Sequence, residues 1–377
     1  MRAVPAAEAT RNAVRGASLA LVGLLPLLAG CRTVGYYAQA IHGQCQILHR
    51  QQPIQDLLAD SKTSSELKER LKLVLRIRQF AEEELRLPAN GHYRHYADLG
   101  RRFAVWTIYA APEFSLEAKA WWYPVVGRLE YQGYFDETRA RRFAEKLERK
   151  GFDVHVGGVE AYSTLGWFRD PVLNTFLFID DTDLADLLFH ELAHQRLFVG
   201  GDTDFNEAFA TAVADEGVQR WLQVHGDSAE VERHREAVAR RQQFLSLASG
   251  ARARLEKLYG SIGSAQCDAC ARDRTGDGPC RCAEWRRDKA AVFEQLRRDY
   301  LETKSRWGGN GEYDGWFSQP LNNALLNTVD TYYALVPAFR RILEGHGGDL
   351  GKFYKEAAAL GKLKKPERER RLRGLAR

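Results

Sequence analysis

The sequence predicts an α+β fold that is mostly α-helical, with a mixed sheet in the first half of the chain. Apolar residues recur at helical spacing on both sides of residues 104–179, where short runs of β-branched and aromatic residues occur instead. The 377 residues can bury a large core, and 45% hydrophobic with 28% charged residues is ordinary for a globular protein. The net charge of +5 is spread along the chain, so the composition predicts no nucleic-acid partner.

The chain is expected to divide into four segments. Residues 1–30 have the pattern of a signal peptide, and residues 31–92 are expected to form an N-terminal helical region. Residues 93–226 are expected to hold the sheet and two helices with a metal site. Residues 227–377 are expected to be helical, with a cysteine-bearing insertion at about 260–283.

The N-terminus carries an export signal. Three arginines precede the apolar run 17–28, which is too short for a permanent membrane helix. Leu28-Ala29-Gly30-Cys31 follows and resembles the lipobox of bacterial lipoproteins, in which the cysteine is acylated. We therefore expect an exported protein anchored to a membrane through lipidated Cys31. Because Arg32 rather than aspartate follows, the outer membrane is favoured, with the chain facing the periplasm. The alternative is a secreted protein with a chance cysteine.

Local signals predict the elements before the site. Residues 33–87 are expected to be helical, with a break at Pro53 and a second helix capped near Ser64. Strands are expected at 104–111, 119–126, 127–131 and 151–158. Gly133-Tyr134-Phe135 is expected to be a turn, and Asp136 is a good N-cap for a helix over 137–150.

Two later helices carry the residues that predict chemistry. Asp183 is a plausible N-cap for the first, and Asp204 for the second. The first contains His190 and His194, which lie on one helix face because they are four residues apart, so they can bind one metal ion together. The second contains Glu207 and is expected to pack back beside the first after a glycine pair at 200–201.

This pattern predicts a site for one catalytic zinc ion. His190, His194 and Glu207 supply three ligands, which leaves one position open for water, as catalytic zinc requires. Glu191 lies about 100° round the helix from His190. It therefore flanks the metal and can accept a proton from the water. A purely structural zinc site is disfavoured, because the set has no cysteine and Glu191 would have no role.

The same residues resemble known enzymes. The motif at 190–194, with Asn206-Glu207-Ala208 on a second helix, is similar to the gluzincin metallopeptidases. More narrowly, four segments together resemble the predicted zinc aminopeptidase family of bacterial lipoproteins. They are residues 133–136, 166–168 with 170–175, 190–195 and 201–210. This resemblance covers most of the chain after Cys31.

The resemblance implies a zincin-like fold, in which a sheet packs on the metal-binding helix and holds a peptide substrate along its edge strand. It implies hydrolysis with Glu191 as general base and a tyrosine that stabilises the oxyanion. Tyr332 and Tyr333 are the candidates for that tyrosine, although each could be a core aromatic residue. In thermolysin-like enzymes, an aspartate four residues after the glutamate ligand orients a histidine, whereas this chain has Thr211 at that position. Asp215, one turn later, is the candidate to take over that role.

Two other functions stay open at this stage. One is a thermolysin-like endopeptidase, since the chain lacks the Gly-Ala-Met-Glu-Asn type of segment that binds the substrate amine in well-studied zinc aminopeptidases. The other is a non-catalytic envelope scaffold, which the intact set of Glu191 and three ligands disfavours. Protein partners and oligomeric state are not predicted.

Two further features have alternative interpretations. Four cysteines bracket a glycine-rich loop, and in an exported chain two disulfides are favoured over a second metal site. They are Cys267, Cys270, Cys280 and Cys282. Cys45 is then expected to be free.

The basic tail 362–377 is expected to be a solvated helix or, alternatively, a contact with anionic lipid.

Overall fold

In a computed structural model, the protein is described over residues 31–88, 91–123, 127–161, 169–261, 282–333 and 335–376. The side chains of residues 31–33, 330–333 and 376 are not described. The predicted signal peptide, segment 166–168 and Cys267, Cys270 and Cys280 lie outside the described residues. So do the side chains of Cys31, Tyr332 and Tyr333.

The protein is 65% helical with small sheets, which agrees with the predicted α+β class. The helices are α1 (Cys31–His49), α2 (Ile54–Ala59), α3 (Ser65–Glu83), α4 (Glu137–Glu148), α5 (Asn174–Leu177), α6 (Asp181–Arg196), α7 (Thr203–His225), α8 (Ser228–Gly260), α9 (Cys282–Arg306), α10 (Asp314–Phe317), α11 (Asn323–Tyr333), α12 (Val336–Gly345), α13 (Leu350–Gly361) and α14 (Lys365–Ala376). The strands are β1 (Gln51–Pro53), β2 (His95–Ala97), β3 (Val105–Pro112), β4 (Trp121–Tyr123), β5 (Gly127–Leu129), β6 (Tyr131–Tyr134), β7 (Phe152–Val159) and β8 (Val172–Leu173).

The described strands form three small sheets where one mixed sheet was expected. An antiparallel sheet has the order β6-β3-β7, and a mixed sheet has the order β1-β2-β8, with β2 antiparallel to β1 and parallel to β8. Strands β4 and β5 form a separate hairpin. The turn predicted at Gly133-Tyr134-Phe135 is wrong in its first two residues, because Gly133 and Tyr134 pair with Thr107 and Trp106 of β3.

Side-chain caps begin several helices close to the predicted positions. Asp136 accepts a hydrogen bond from the Arg139 amide at 2.7 Å at the start of α4. The predicted caps of the two site helices are wrong by two or three residues. Asp180 caps α6, and Asp202 caps α7. Neighbouring aspartates at 180, 181 and 183, and at 202 and 204, are all chemically able to cap, so the chain alone does not select among them.

The site helices lie in the middle of the largest core cluster. α6 and α7 pack along each other, with α3 against α6 and α11 and α12 against α7. Leu188 and Phe189 of α6 and Ala208 and Phe209 of α7 are fully buried. This packing holds the two helices, and therefore the predicted ligands, in one rigid unit.

Gly217 permits the close approach of α7 to its neighbours. A Cβ atom added there would meet Phe189 Cδ2 and Leu85 Cδ1 at 2.7 Å each. We expect Gly217→Ala to lower the free energy of unfolding by about 1–3 kcal/mol through overpacking, measured by chemical denaturation. Gly250 of α8 is the matched control, because nothing lies within 4 Å of its added Cβ. Gly250→Ala should raise stability by up to about 1 kcal/mol. Equal effects of the two variants would contradict this account.

The apolar stretch 322–343, where Pro337 predicts a kink or a stop, forms two helices, α11 and α12. Pro337 lies in the first turn of α12, where a missing N–H is tolerated. The basic tail does form a helix, α14, but a fully solvated helix is wrong, since Arg368 and Leu372 are buried. Within the described residues, no helix is both long and apolar enough to span a bilayer.

Two cysteine side chains, those of Cys45 and Cys282, lie within the described residues. Cys45 on α1 is exposed, and Cys282 at the start of α9 is buried. Neither forms a disulfide with another described residue. The choice between disulfides and metal in the insertion falls on residues outside the described ranges.

Candidate metal centre

The site helices bring together the three predicted ligands. Nε2 of His190 lies 3.1 Å from Oε2 of Glu207 and 3.2 Å from Nε2 of His194. Nε2 of His194 lies 3.7 Å from the same Glu207 oxygen. With zinc bonds of about 2.0–2.1 Å, a tetrahedral site separates its ligand atoms by about 3.3 Å. The triangle of donor atoms therefore has the size of a zinc ligand set.

The chemistry of these donors also fits a cation. Two imidazole Nε2 atoms that face each other can share at most one proton, and Glu207 brings only acceptor oxygens. The three donor atoms lie close enough together for one divalent cation to bind all of them. Across the described ranges, this is the one group of three potential ligands found this close together.

Burial and the charges of neighbouring side chains shift the pKa values of Glu207 and His190. Burial alone would raise the pKa of Glu207, but the charge of His194 and hydrogen bonds from both histidines hold it well below its usual range. Burial alone would lower the pKa of His190, but its hydrogen bond to Glu207 and the surrounding carboxylates raise it instead. Glu207 is thus ionised, and the site favours positive charge beside it.

Glu191 lies beside the trio and has an oxygen ready for proton transfer. Its Oε2 is buried and has no hydrogen-bond partner among the described residues. Burial is the main cause that raises the pKa of Glu191, while the charges of His194 and His190 lower it. A buried carboxylate oxygen without a partner costs free energy, which is typical of a functional group whose partner is a substrate or a water.

Asn206 stabilises the loop that joins the two site helices. Its Oδ1 accepts a hydrogen bond from the Val199 amide at 2.7 Å, and its Nδ2 donates to the Val199 carbonyl at 2.9 Å. Asn206 is buried and directly precedes Glu207. The first residue of Asn206-Glu207-Ala208 therefore positions the turn, while the second points its carboxylate at the histidines.

Asp202 fastens the same loop to the C-terminal helix. The Arg368 guanidinium donates to Asp202 Oδ2 through Nε at 2.8 Å and through its second terminal nitrogen, and both side chains are buried. Arg368 also donates to the carbonyls of Gly361 and Leu363 at 3.0 and 2.8 Å. Sequence reasoning missed this pair, because nothing distinguishes Arg368 within its basic run.

Asp215 has a different environment from that of a residue orienting a ligand. Its two carboxylate oxygens accept hydrogen bonds from Arg241 and, at 2.6 Å, from Arg340. Asp186, a carboxylate that sequence reasoning missed, lies one helical turn before His190. Burial and the charge of Asp215 raise the pKa of Asp186 to about 6, and its charge acts on His190. Its position four residues before His190, on the same helix face, was the available signal.

A second group of buried residues lies near Glu191. Tyr93 has a left-handed backbone, with φ of 56°, which costs about 1–3 kcal/mol in a non-glycine residue. Its amide donates to the Asp170 carbonyl at 2.8 Å, and the Asp170 amide donates to His92 Nδ1 at 3.1 Å. Burial raises the pKa of Tyr93 well above its usual range, and so does the charge of Glu191. No sequence signal marked Tyr93.

The candidate tyrosines are placed only through their backbone. Tyr332 and Tyr333 end α11, which packs against α7, the helix of Glu207. Their side chains lie outside the described residues, so their role as oxyanion donors stays a prediction. Thr211, one turn after Glu207, is buried, in the position where thermolysin-like enzymes have aspartate.

Together, the fold and the site define an α+β protein with a cluster of three potential metal ligands held between two packed helices. Comparison with known families is consistent with this class. The model of the family described as "Putative aminopeptidase" matches residues 35–372, and the chain belongs to that family. The family suggests peptidase activity. Neither the curated proteins nor the solved structures contain a match to the chain.

Proposed function

We propose that this protein is a zinc-dependent aminopeptidase of the bacterial envelope. The observation that carries the proposal is the triangle of His190, His194 and Glu207 donor atoms, 3.1–3.7 Å apart, with the unpartnered buried oxygen of Glu191 beside it. The family supports peptide hydrolysis, and the donor set supports zinc.

The residues divide the chemical work among them. A zinc ion held by His190, His194 and Glu207 would supply Lewis-acid polarisation of the scissile carbonyl and of the attacking water. Glu191 accepts the proton of that water at Oε2 and donates it to the leaving amine. One peptide bond breaks, and the water supplies the hydroxyl of the new carboxylate and the proton of the new amine.

The cellular location follows from the N-terminal sequence. Lipid at Cys31 would anchor the protein, and a diacylated and N-acylated cysteine has more than one chain, which gives stable attachment. The segment Leu28-Ala29-Gly30-Cys31 supports this anchor, and Arg32 supports an outer-membrane position with the enzyme facing the periplasm.

Metal analysis is the first test of this proposal. The purified protein should contain about one zinc ion per chain, as the ligand set of three plus water requires. His194→Ala should lose the ion, while His346→Ala, which removes a surface histidine paired with Glu356 at 2.5 Å, should keep it. A wild-type protein that binds no zinc, measured by mass spectrometry of the metal, would rule out the proposed enzyme.

Peptide reporters test the site of cleavage. We expect hydrolysis of aminoacyl reporters and little hydrolysis of the same peptides with an acetylated N-terminus, because an aminopeptidase recognises the free amine. Hydrolysis should stop with a chelator and return with added zinc. Cleavage of the acetylated peptides alone would instead favour the thermolysin-like endopeptidase and would leave the zinc assignment intact.

A further inference from the structure

Helix α1 has an apolar stripe that the fold leaves uncovered. Val34 and Ile41 are 44% and 64% exposed, and Ala38 and Cys45 are exposed as well. Their spacing of four, three and four residues places them on one side of the helix, over roughly 16 Å. Charged side chains are absent from all four positions.

The opposite side of α1 is the one that packs on the protein. Gln39 Oε1 accepts a hydrogen bond from the Phe135 amide at 3.0 Å, and Gly43 lies directly against the Phe135 ring. Ile47 is buried in the main core. The stripe is therefore a second apolar face of α1, beyond the face that the fold needs.

A basic and aromatic cavity opens beside the first turns of α1. It measures about 390 Å³, and its lining includes Tyr37 of α1 and Trp122 of the β4–β5 hairpin. Trp122 is 72% exposed, which is unusual for so large an apolar side chain. Tyr37 is about 60° round the helix from Val34, so it borders both the stripe and the cavity.

Three lysines give this cavity its charge. Lys119, Lys146 and Lys150 line it, and none of its lining residues is acidic. Lys119 lies over the rings of Trp121 and Phe152, at 5.6 and 5.4 Å from their centroids. Among the described residues, none of the three lysines forms an ion pair. Their charge is therefore available to an anionic ligand.

These features are the ones that a membrane interface favours. Tryptophan and tyrosine prefer the headgroup level, apolar residues enter the acyl boundary, and lysines are attracted to anionic lipid. The stripe also begins three residues after Cys31, the proposed lipid attachment site. A helix that starts at the anchor and is apolar on its free side is suited to lie along the membrane surface.

We propose that the stripe of α1 and the adjoining cavity rest on the bilayer, and that the cavity binds the phosphate of anionic phospholipid headgroups. The proposal depends on the lipid anchor at Cys31 but is independent of the peptidase activity. The protein then sits on the membrane in one orientation, with α1 parallel to its surface, instead of rotating freely on a flexible tether.

Tryptophan quenching by brominated lipid tests the contact. The full chain, purified with its natural N-terminus, is reconstituted in phosphatidylcholine vesicles with or without phosphatidylglycerol, with bromine near the headgroup end of the acyl chains. We expect quenching in the anionic vesicles, and Trp122→Phe should remove most of it. Trp307→Phe is the matched control, because Trp307 packs in the separate cluster around Phe244 and Tyr300 and should leave the quenching unchanged.

A double lysine variant tests headgroup binding separately from contact with the bilayer. Lys146→Gln with Lys150→Gln should reduce quenching several-fold in vesicles with phosphatidylglycerol and leave it unchanged in phosphatidylcholine alone. Equal quenching of wild type and Trp122→Phe would overturn the membrane contact, and a partner protein would then be the occupant. Equal quenching with and without phosphatidylglycerol would overturn headgroup binding. Failure of the protein to float with vesicles would remove the anchor and the proposal with it.

Discussion

Replacing Glu191 by glutamine is expected to lower kcat by about 10²–10⁴-fold while one zinc ion stays bound. Glutamine has the same shape as glutamate but cannot accept the proton of the attacking water, and general-base catalysis contributes rate factors of this size. The three metal ligands are untouched. Measurement of kcat on an aminoacyl reporter, together with zinc content, separates lost chemistry from lost metal.

The same change is expected to lower activity without lowering stability. Oε2 of Glu191 is buried without a partner among the described residues, so the substitution removes a poorly satisfied charge and breaks no hydrogen bond to that atom. Thermal unfolding should therefore occur at the same or a higher temperature. Glu294→Gln is the control for the chemical change, because the Glu294 side chain is 65% exposed on α9. Turnover of Glu191→Gln within tenfold of wild type would exclude Glu191 as the base.

The approach of the three candidate ligands to one another could be predicted from the sequence because their geometry is local. His190 and His194 need only a regular helix to share a face. Glu207 follows after a loop short enough that its helix must pack beside the first. In the structure, the three donor residues lie on α6 and α7, which pack directly against each other. The prediction therefore required no knowledge of distant contacts.

The features that could not be predicted depend on partners far away in the chain. Gly133 and Tyr134 look like a turn in isolation, but they are strand residues because β3 supplies pairing partners 26 and 28 residues earlier. The expected single sheet is split into three for the same reason, since strand order is a property of packing. Asp186, by contrast, has a local signal in its spacing from His190, since the two residues are four apart on one helix.

The basic tail shows most clearly where local reasoning fails. By composition, Arg368 is one of several equivalent arginines. In the structure, it is the one whose guanidinium is buried against Asp202 and two carbonyls of the chain before it. Only the position of the α6–α7 loop, 166 residues away, distinguishes it. The C-terminal helix thus becomes part of the support of the candidate metal centre.

Breaking the Asp202–Arg368 pair is expected to cost about 3–5 kcal/mol of unfolding free energy. The side chains are 2% and 4% exposed, which places the pair among buried ion pairs, where removing one partner leaves an uncompensated charge. Arg368→Met keeps the length of the side chain and removes its charge. Lys365 Nζ, 3.6 Å from Asp202 and 44% exposed, can replace it only in part. Chemical denaturation measures the loss.

The matched control lies on the same helix. Arg371 pairs with Glu367 at 2.7 Å, but its side chain is 57% exposed. Arg371→Met should therefore cost no more than about 1 kcal/mol, as for other surface pairs. Similar losses in the two variants would mean that burial does not set the strength of the Asp202–Arg368 pair.

The Arg368→Met change should also weaken zinc binding, because Arg368 supports the loop that precedes Glu207. Asp202 caps α7, and Asn206 forms two hydrogen bonds with the backbone of Val199. These contacts fix the loop before Glu207 and therefore the position of Glu207 relative to the histidines. We expect zinc affinity to fall by about 10–100-fold in Arg368→Met, the range seen when groups that support metal ligands are lost. Competition with a chelator measures this affinity.

The double variant Asp202→Asn with Arg368→Met removes both charges and should recover much of the lost stability. Because loss of Arg368 alone leaves a buried charge whereas loss of both does not, recovery distinguishes a charge effect from simple loss of packing. No recovery would assign the role of Arg368 to its packing and its carbonyl contacts.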